Sequence, residues 1–452
     1  MRAIGIAGIV LLGMIGFTAG AQEVQNYITV YNQDLALVKQ VRVVTIDPKS
    51  PIIRFQDVAE KIIPTSVHLR SLTEPKRFVV LEQNYEYDLV NARKILEKYL
   101  DRPIELITES GDLLSGKLLS FRENRLVLQV KEGIRIIPWN DQLQVSVQEL
   151  PEDFITRPTL VWRISGASKR EQKLEVSYLT TGMSWKAEYV GELSEKDDRL
   201  HIGAWVNITN QSGTTFENAR LKLVAGDVRR VRPRRMPIER PIEPYSAKTA
   251  APETFREKAF FEYHLYTLQR PTTLKRNQIK QISLFSPVTV ACTKKFVYDG
   301  RRGGEKVDVK IVFQNRKEDG LGIPLPKGIF RLYKRDGNSL EFIGEDQIDH
   351  TPRNEKVELT IGQAFDIRVK RTVAEEKRIT RSTIERQVEV EIRNQKEKED
   401  IEVSVVEYMG RFWEILESTH PYVQKSANEC EFLVPVKANS TAKLKFRVRI
   451  SW

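Results

Sequence analysis

The sequence predicts an all-β fold built from antiparallel β-sandwiches. Three observations lead there: apolar and polar residues alternate over strand-length runs, Gly, Asn and Asp mark turns between the runs, and a single stretch shows helical spacing. The alternation is cleanest at the C-terminus. There Leu444, Phe446, Val448, Ile450 and Trp452 share one face, and Lys443, Lys445, Arg447 and Arg449 share the other. A run of this kind places one face on a core and the other in water. Val307, Val309, Ile311 and Phe313 repeat the pattern, as do Val388, Val390 and Ile392, and Ile401, Val403 and Val405. In the first half, Leu174, Val176 and Tyr178 do the same, followed by Leu200, Ile202, Ala204, Val206 and Ile208.

The chain opens differently. Met1 and Arg2 give a short positive start, residues 4–17 are apolar or small, and Ala19-Gly20-Ala21 supplies small residues at cleavage spacing. This predicts a signal peptide over 1–21, cut before Gln22, and so export to the periplasm or the cell exterior. The apolar run is short for ~30 Å of hydrocarbon, and no later stretch reaches that length, so no membrane span is expected in the mature chain. The absence of a cysteine at the cut speaks against a lipid anchor.

What remains is long enough for about two to four domains. Residues 22–88 together with 151–231 are expected to form one discontinuous N-terminal sandwich, interrupted by 89–150. Within the interruption, Asn91 is a good N-cap, and Ala92, Ile95, Leu96, Tyr99 and Leu100 follow at helical spacing. Residues 103–150 then read as about five short strands, with turns at Ser110-Gly111-Asp112, Glu123-Asn124 and Glu132-Gly133. One short helix before five strands is the outline of a small SH3-like or Sm-like barrel. RNA, which Sm barrels bind, is not expected as a partner, because stacking aromatics are sparse and export removes the substrate. Residues 232–280 read as a basic, proline-rich linker, since Pro233, Pro237, Pro241 and Pro244 deny a ladder its donors. Residues 281–452 are expected to form a second sandwich.

Three segments share one device: an alternating strand ends at Asn or Gln, a polar turn follows, and a second strand begins. They run through Asn210-Gln211-Ser212-Gly213, Gln314-Asn315 and Asn394-Gln395. Strand pairs so spaced recur in immunoglobulin-like sandwiches. Asn207, Asn210 and Asn439 also fall in glycosylation sequons.

Charge narrows the partners. The chain has 72 basic and 61 acidic residues and a formal charge of +11. The two signs are interspersed, so most of them solvate strand faces. The exception is the linker, where Arg230, Arg232, Arg234 and Arg235 are the candidates for contact with an anionic surface. Outside the cytoplasm that means an envelope protein or an anionic envelope polymer, not nucleic acid. The two cysteines, Cys292 and Cys430, both fall on apolar faces, Cys292 with Val288 and Val290, Cys430 with Phe432 and Val434. Oxidation after export would let them bridge; two separate buried thiols fit the pattern equally.

Motifs of chemistry are scarce. His68, His201, His264, His350 and His420 show no zinc-ligand spacing, and there is no CxxC pair, phosphate loop, nucleophile elbow or dinucleotide fingerprint. No cofactor is expected. The one dense polar group lies between Gly344 and Pro352, where Glu345, Asp346, Asp349 and His350 would suit a hard cation or acid–base work. Equally, Asp and Thr side chains there would satisfy a tight turn. Trp185, beside a Thr-Gly corner, reads as core.

Several phrases resemble a known family. They are Tyr31-Asn32-Gln33-Asp34-Leu35-Ala36-Leu37-Val38, Thr181-Gly182-Met183-Ser184-Trp185, Leu223-Val224-Ala225-Gly226-Asp227, and Gly344-Glu345-Asp346 through His350-Thr351-Pro352. Together they resemble the bacterial mucoidy-inhibitor-A-like group, whose C-terminal half is a domain of unknown function. The resemblance runs along nearly the whole mature chain, departing at the barrel-like insert and the basic linker. It implies an exported, β-rich bacterial protein, with no catalytic residues to carry over. The expectation is therefore a non-enzymatic envelope protein that binds or scaffolds. The rival is a hydrolase or metal-dependent enzyme of envelope polymers working through Glu345, Asp346, Asp349 and His350.

Overall fold

A computed structural model describes residues 24–47, 50–87, 92–140, 142–149, 156–226, 228–229, 255–260 and 263–452. The expected signal peptide over 1–21, Asn91 and the arginines 230, 232, 234 and 235 lie outside these residues. Strands dominate what is described, with one α-helix, Ala92–Lys98, and one 3-10 turn, Pro64–Ser66. The all-β expectation holds.

The chain divides into two compact units. The first comprises Met1–Tyr27 and Val38–Leu179, the second Ile28–Leu37 and Thr180–Trp452.

In the first unit, Thr159–Ser165 lies between Ile52–Gln56 and Val79–Glu86, antiparallel to both. Trp162 is fully buried there and donates from Nε1 to Gln83 Oε1 at 2.8 Å, so its one polar atom is satisfied. The insert has its own core of Leu96, Tyr99, Ile104, Leu106, Leu118, Phe121, Leu126 and Leu128. Its five strands are Pro103–Ile107, Leu113–Arg122, Arg125–Val130, Gly133–Pro138 and Gln144–Ser146. The middle three follow the first as a meander, and the last returns to pair with the first. The helix and five strands are as expected, but the sheet does not close into a barrel. The returning strand has three residues and makes no ladder with Gly133–Pro138.

A carboxylate holds one turn of this unit. Glu74 accepts from the amides of Ser168 and Lys169 at 3.0 Å each, from Gln172 Nε2 at 2.5 Å, and from the Ser168 hydroxyl. Those donors, the Ser168 hydroxyl first, pull its pKa from 4.5 down to about 2. Because the folded value is depressed, this stabilisation is complete above pH 4.5 and is lost as pH falls toward 2. Glu74→Gln should therefore be less stable than the parent at neutral pH, with the gap narrowing across that window. Acid-unfolding curves of the two proteins check it, and a gap independent of pH would contradict the assignment.

The second unit is organised by long strands. Met183–Leu193 pairs antiparallel with Arg199–Asn210 and parallel with Gly328–Asp336. The 22-residue strand Gln278–Asp299 pairs Arg199–Asn210 along its first half. Along its second half it pairs Lys306–Gln314, and it runs parallel to Ile401–Tyr408. These two parallel pairs depart from the purely antiparallel expectation. They also move the expected boundary, because one continuous strand spans residue 281. Compact structure thus joins Thr180 onward to the C-terminal region and does not start afresh at 281.

The C-terminal sandwich buries Val388, Val390, Ile392, Val403, Val405, Phe432, Phe446 and Val448 in one core. The alternation of the last strand holds through Val448, after which Trp452 is exposed. Residues 232–280 are not a linker throughout. Phe255–Phe260, Tyr263–Leu268 and Thr272–Leu274 are strands; the run between Pro252 and Pro271 is free of proline and rich in aromatic residues, so the first two can form a ladder.

Cys292 and Cys430 are free, buried thiols. The strand register explains why they do not meet. Phe296 stands level with Val403, so Cys292 falls about eight strand residues from Glu407, the residue opposite Cys430. That is roughly 26 Å at ~3.3 Å per residue, against the ~4.4–6.8 Å a bridge needs. Burial pushes the Cys292 thiol up to about 11 and the Cys430 thiol up to about 12.

Candidate functional site

The Glu345–His350 cluster is dispersed by its strand. Ser339–Ile348 sends successive side chains to opposite faces, so adjacent carboxylates separate. Glu345 pairs with Arg331 at 3.2 Å, and Asp346 accepts from the amides of Thr360 and Gln347 at 2.7 and 2.8 Å. Asp349, largely exposed, pairs with Lys327 at 3.1 Å, while His350 Nδ1 accepts from the Lys327 amide at the same distance. Among the described residues, no group of three or more His, Cys, Asp or Glu side chains converges as a metal site would require.

The familiar phrases do converge elsewhere, within the second unit. Asn32 donates to the Trp185 carbonyl at 3.3 Å and accepts from the Gly226 amide at 3.3 Å. Asp34 accepts from the Gly182 amide at 2.6 Å. Trp185 is fully buried, as expected of core, and donates to the Val224 carbonyl at 3.0 Å. Its ring meets Tyr266 edge-on at 6.2 Å. Tyr266 sits opposite Leu223 in the ladder and donates to the Pro324 carbonyl at 2.9 Å.

From Tyr266 the wall continues into the loop after Lys306–Gln314. Asn315, fully buried, ties that loop together. Its Nδ2 donates to the carbonyls of Ile323 at 2.7 Å and Pro352 at 2.9 Å, and its Oδ1 accepts from the Gly322 amide at 3.1 Å. Gly322 has φ 67°, and a Cβ there would lie 2.5 Å from the Lys317 Cα, so the turn requires glycine. Leu325 and Thr351 exchange amide–carbonyl bonds at 2.8 and 2.9 Å. One asparagine thus fixes both the loop wall and the residue before Arg353.

Beside this wall lies a cavity of about 150 Å³, lined by Phe255, Glu257, Tyr266, Leu284, Phe285, Leu321 and Ile323 among others. Glu257 is its acidic member. It accepts from His264 Nδ1 at 2.8 Å and from Arg353 Nη2 at 2.7 Å. Burial opposes ionisation of Glu257, but the bonds from His264 and Arg353 outweigh it and hold the carboxyl below its usual range. Arg353 is mostly buried, and its Nε and Nη1 atoms have no hydrogen-bond partner among the described residues. This trio was not legible in the sequence as a site. Glu257 and His264 lay in the presumed linker, and Arg353 is almost a hundred residues further on.

The region built by these elements coincides with a family. Residues 174–452 match the family described as a domain of unknown function, DUF4139. The chain belongs to the DUF4139 family. No curated protein matches the chain. The DUF4139 region contains Trp185, Asn315, Glu257, His264 and Arg353, while the helix and five-stranded insert precede it.

The three Asn turns also fall inside the DUF4139 region, and they use one chemistry. Asn210 donates to the carbonyls of Thr214, Leu274 and Lys275 at 2.9–3.1 Å. Asn394 donates to those of Glu399, Val436 and Lys437 at 2.9, 3.4 and 3.0 Å. All three asparagines are buried, and each Oδ1 accepts a nearby backbone amide. Asn210 is consumed by the fold and is closed to glycosylation.

Proposed function

We propose that the protein is an exported, non-enzymatic envelope protein, of the mucoidy-inhibitor-A-like kind, that binds or scaffolds other envelope components. One observation carries the preference over a hydrolase or metal enzyme. Glu345, Asp346, Asp349 and His350 are each engaged with Arg331, with backbone amides or with the Lys327 segment. Side chains so occupied serve turns and strand pairing. The resemblance to an exported bacterial group and the N-terminal pattern support the location.

Two measurements test the reading. Thermal melts of the parent and Asp349→Ala, with and without Ca²⁺, Mg²⁺ or Zn²⁺, should show no metal response in either protein. A metal-dependent rise in the parent alone would favour the metal enzyme, since a ligand binding only the native state stabilises it by mass action. Affinity capture by the mature chain from its native envelope fraction should retain a specific component. Retention no greater than on a blank matrix would remove the binding reading.

A further inference from the structure

The cavity lined by Phe255, Tyr266 and Phe285 serves no purpose in that reading, and its walls define what can enter it. We propose that it holds one small uncharged apolar group, about the size of an aromatic ring, admitted between Ser286 and Gly320. This stands independently of the envelope-binding proposal.

Three features lead to this ligand. The first is the shape of the site. Phe255, Tyr266, Leu284, Phe285 and Leu321 line it and are each 7% exposed or less, whereas Ser286 and Gly320 line it and are exposed. The cavity thus has a covered apolar base and a mouth at those two residues. The second feature is that its buried polar groups are already committed. The two Glu257 oxygens accept from His264 and Arg353, one each, and the Tyr266 hydroxyl donates to the Pro324 carbonyl at 2.9 Å. A charged ligand would lose its hydration and find no spare partner inside, which is costly. An uncharged apolar group gains by leaving water and asks for no partner. Water itself is poorly held in such a space, and an apolar cavity of ~150 Å³ takes one benzene. At about 150 Å³, this cavity has that size. The third feature is rigidity. Asn315 holds the Ile323 carbonyl on one wall, and Tyr266 is fixed both at its hydroxyl and against the Trp185 ring, so the space is formed before a ligand arrives.

The test titrates the full mature chain with benzene and with benzoate, followed by methyl NMR and by thermal melts. Benzene should bind saturably and raise the melting temperature. It should shift the methyl signals of Leu284, Val288, Leu321 and Ile323, and leave those of Val388 and Val403 in the C-terminal sandwich in place. Benzoate, the same ring with a charge, should bind at least about tenfold more weakly. Val288→Phe puts a ring into the space from a half-buried lining position, and it should weaken benzene binding at least about tenfold. If that variant does not fold, the methyl shifts of the parent and the benzoate comparison decide. No saturable benzene binding, shifts confined to methyls outside the lining, equal binding of benzoate, or unchanged affinity in folded Val288→Phe would each overturn the proposal.

Discussion

Arg371→Ala should be among the most damaging single substitutions in the second unit, lowering stability by about 3–5 kcal/mol. Glu407 is almost completely buried, and Arg371 holds it by two bonds, Nε to Oε1 at 2.7 Å and Nη2 to Oε2 at 3.0 Å. Truncation removes the only cation bonded to that carboxylate among the described residues and leaves a charge in low dielectric. Gly300 closes the space on the other side, since a Cβ there would stand 2.6 Å from Glu407 Oε1. The comparison that isolates the cause is the double variant Arg371→Leu with Glu407→Leu. Replacing both partners by apolar groups removes the buried charge as well as the bond, so it should recover most of the loss. Denaturant unfolding of the two variants measures this. A single substitution costing under about 1 kcal/mol would mean that water reaches the pair, as it does for exposed bridges.

The second large effect should come from Asn394. Its amide nitrogen serves three buried or half-buried carbonyls, and its oxygen takes the Lys396 amide at 3.1 Å. Asn394→Ala should cost about 2–4 kcal/mol, from the lost bonds and the carbonyls left without donors. Asn394→Asp keeps shape and volume but turns a donor into an acceptor facing three acceptors. At neutral pH it should cost at least as much as Ala. The sign of its pH dependence is distinctive. Carbonyls around the introduced carboxylate disfavour its charged form, so its folded pKa lies above the unfolded value of ~3.9. The variant should then gain stability relative to the parent as pH falls through that raised pKa. Chemical denaturation at several pH values reads the trend, and a flat difference would show that the amide nitrogen is not the working atom.

These asparagines show what could and could not be read from residues alone. Recurrence of a strand ending in Asn was visible, because period-two alternation stops abruptly at a polar residue. The partners were not, since Asn394 reaches Val436 and Asn315 reaches Pro352 across 42 and 37 residues. Alternation correctly separated core from solvent in Leu444, Phe446 and Val448, yet it carries no record of which strand lies alongside. The parallel pairing of Met183–Leu193 with Gly328–Asp336 was hidden for that reason. The antiparallel pair Phe255–Phe260 and Tyr263–Leu268 was obscured by its neighbourhood, where arginines and prolines suggested an extended chain. Its own cue was modest: Tyr266 and Leu268 share a parity and are both buried. The acidic cluster was the reverse case. Proximity along the sequence drew attention to Glu345 and Asp346, but neighbours on a strand point apart.

The parallel ladder between Met183–Leu193 and Gly328–Asp336 has a consequence for how the molecule comes to be made. Tyr189 donates to the carbonyl of Pro326 at 2.6 Å, across 137 residues of chain. Closing so long a loop before any contact rewards it makes folding slow, and the waiting strand exposes Trp185 and Tyr189 meanwhile. Synthesis from the N-terminus delivers Met183–Leu193 well before that partner, and the neighbouring strand that follows soonest is Arg199–Asn210. That local hairpin is the first structure this half of the protein can form, and the sequence between Thr180 and Asn210 must hold its place until the rest arrives.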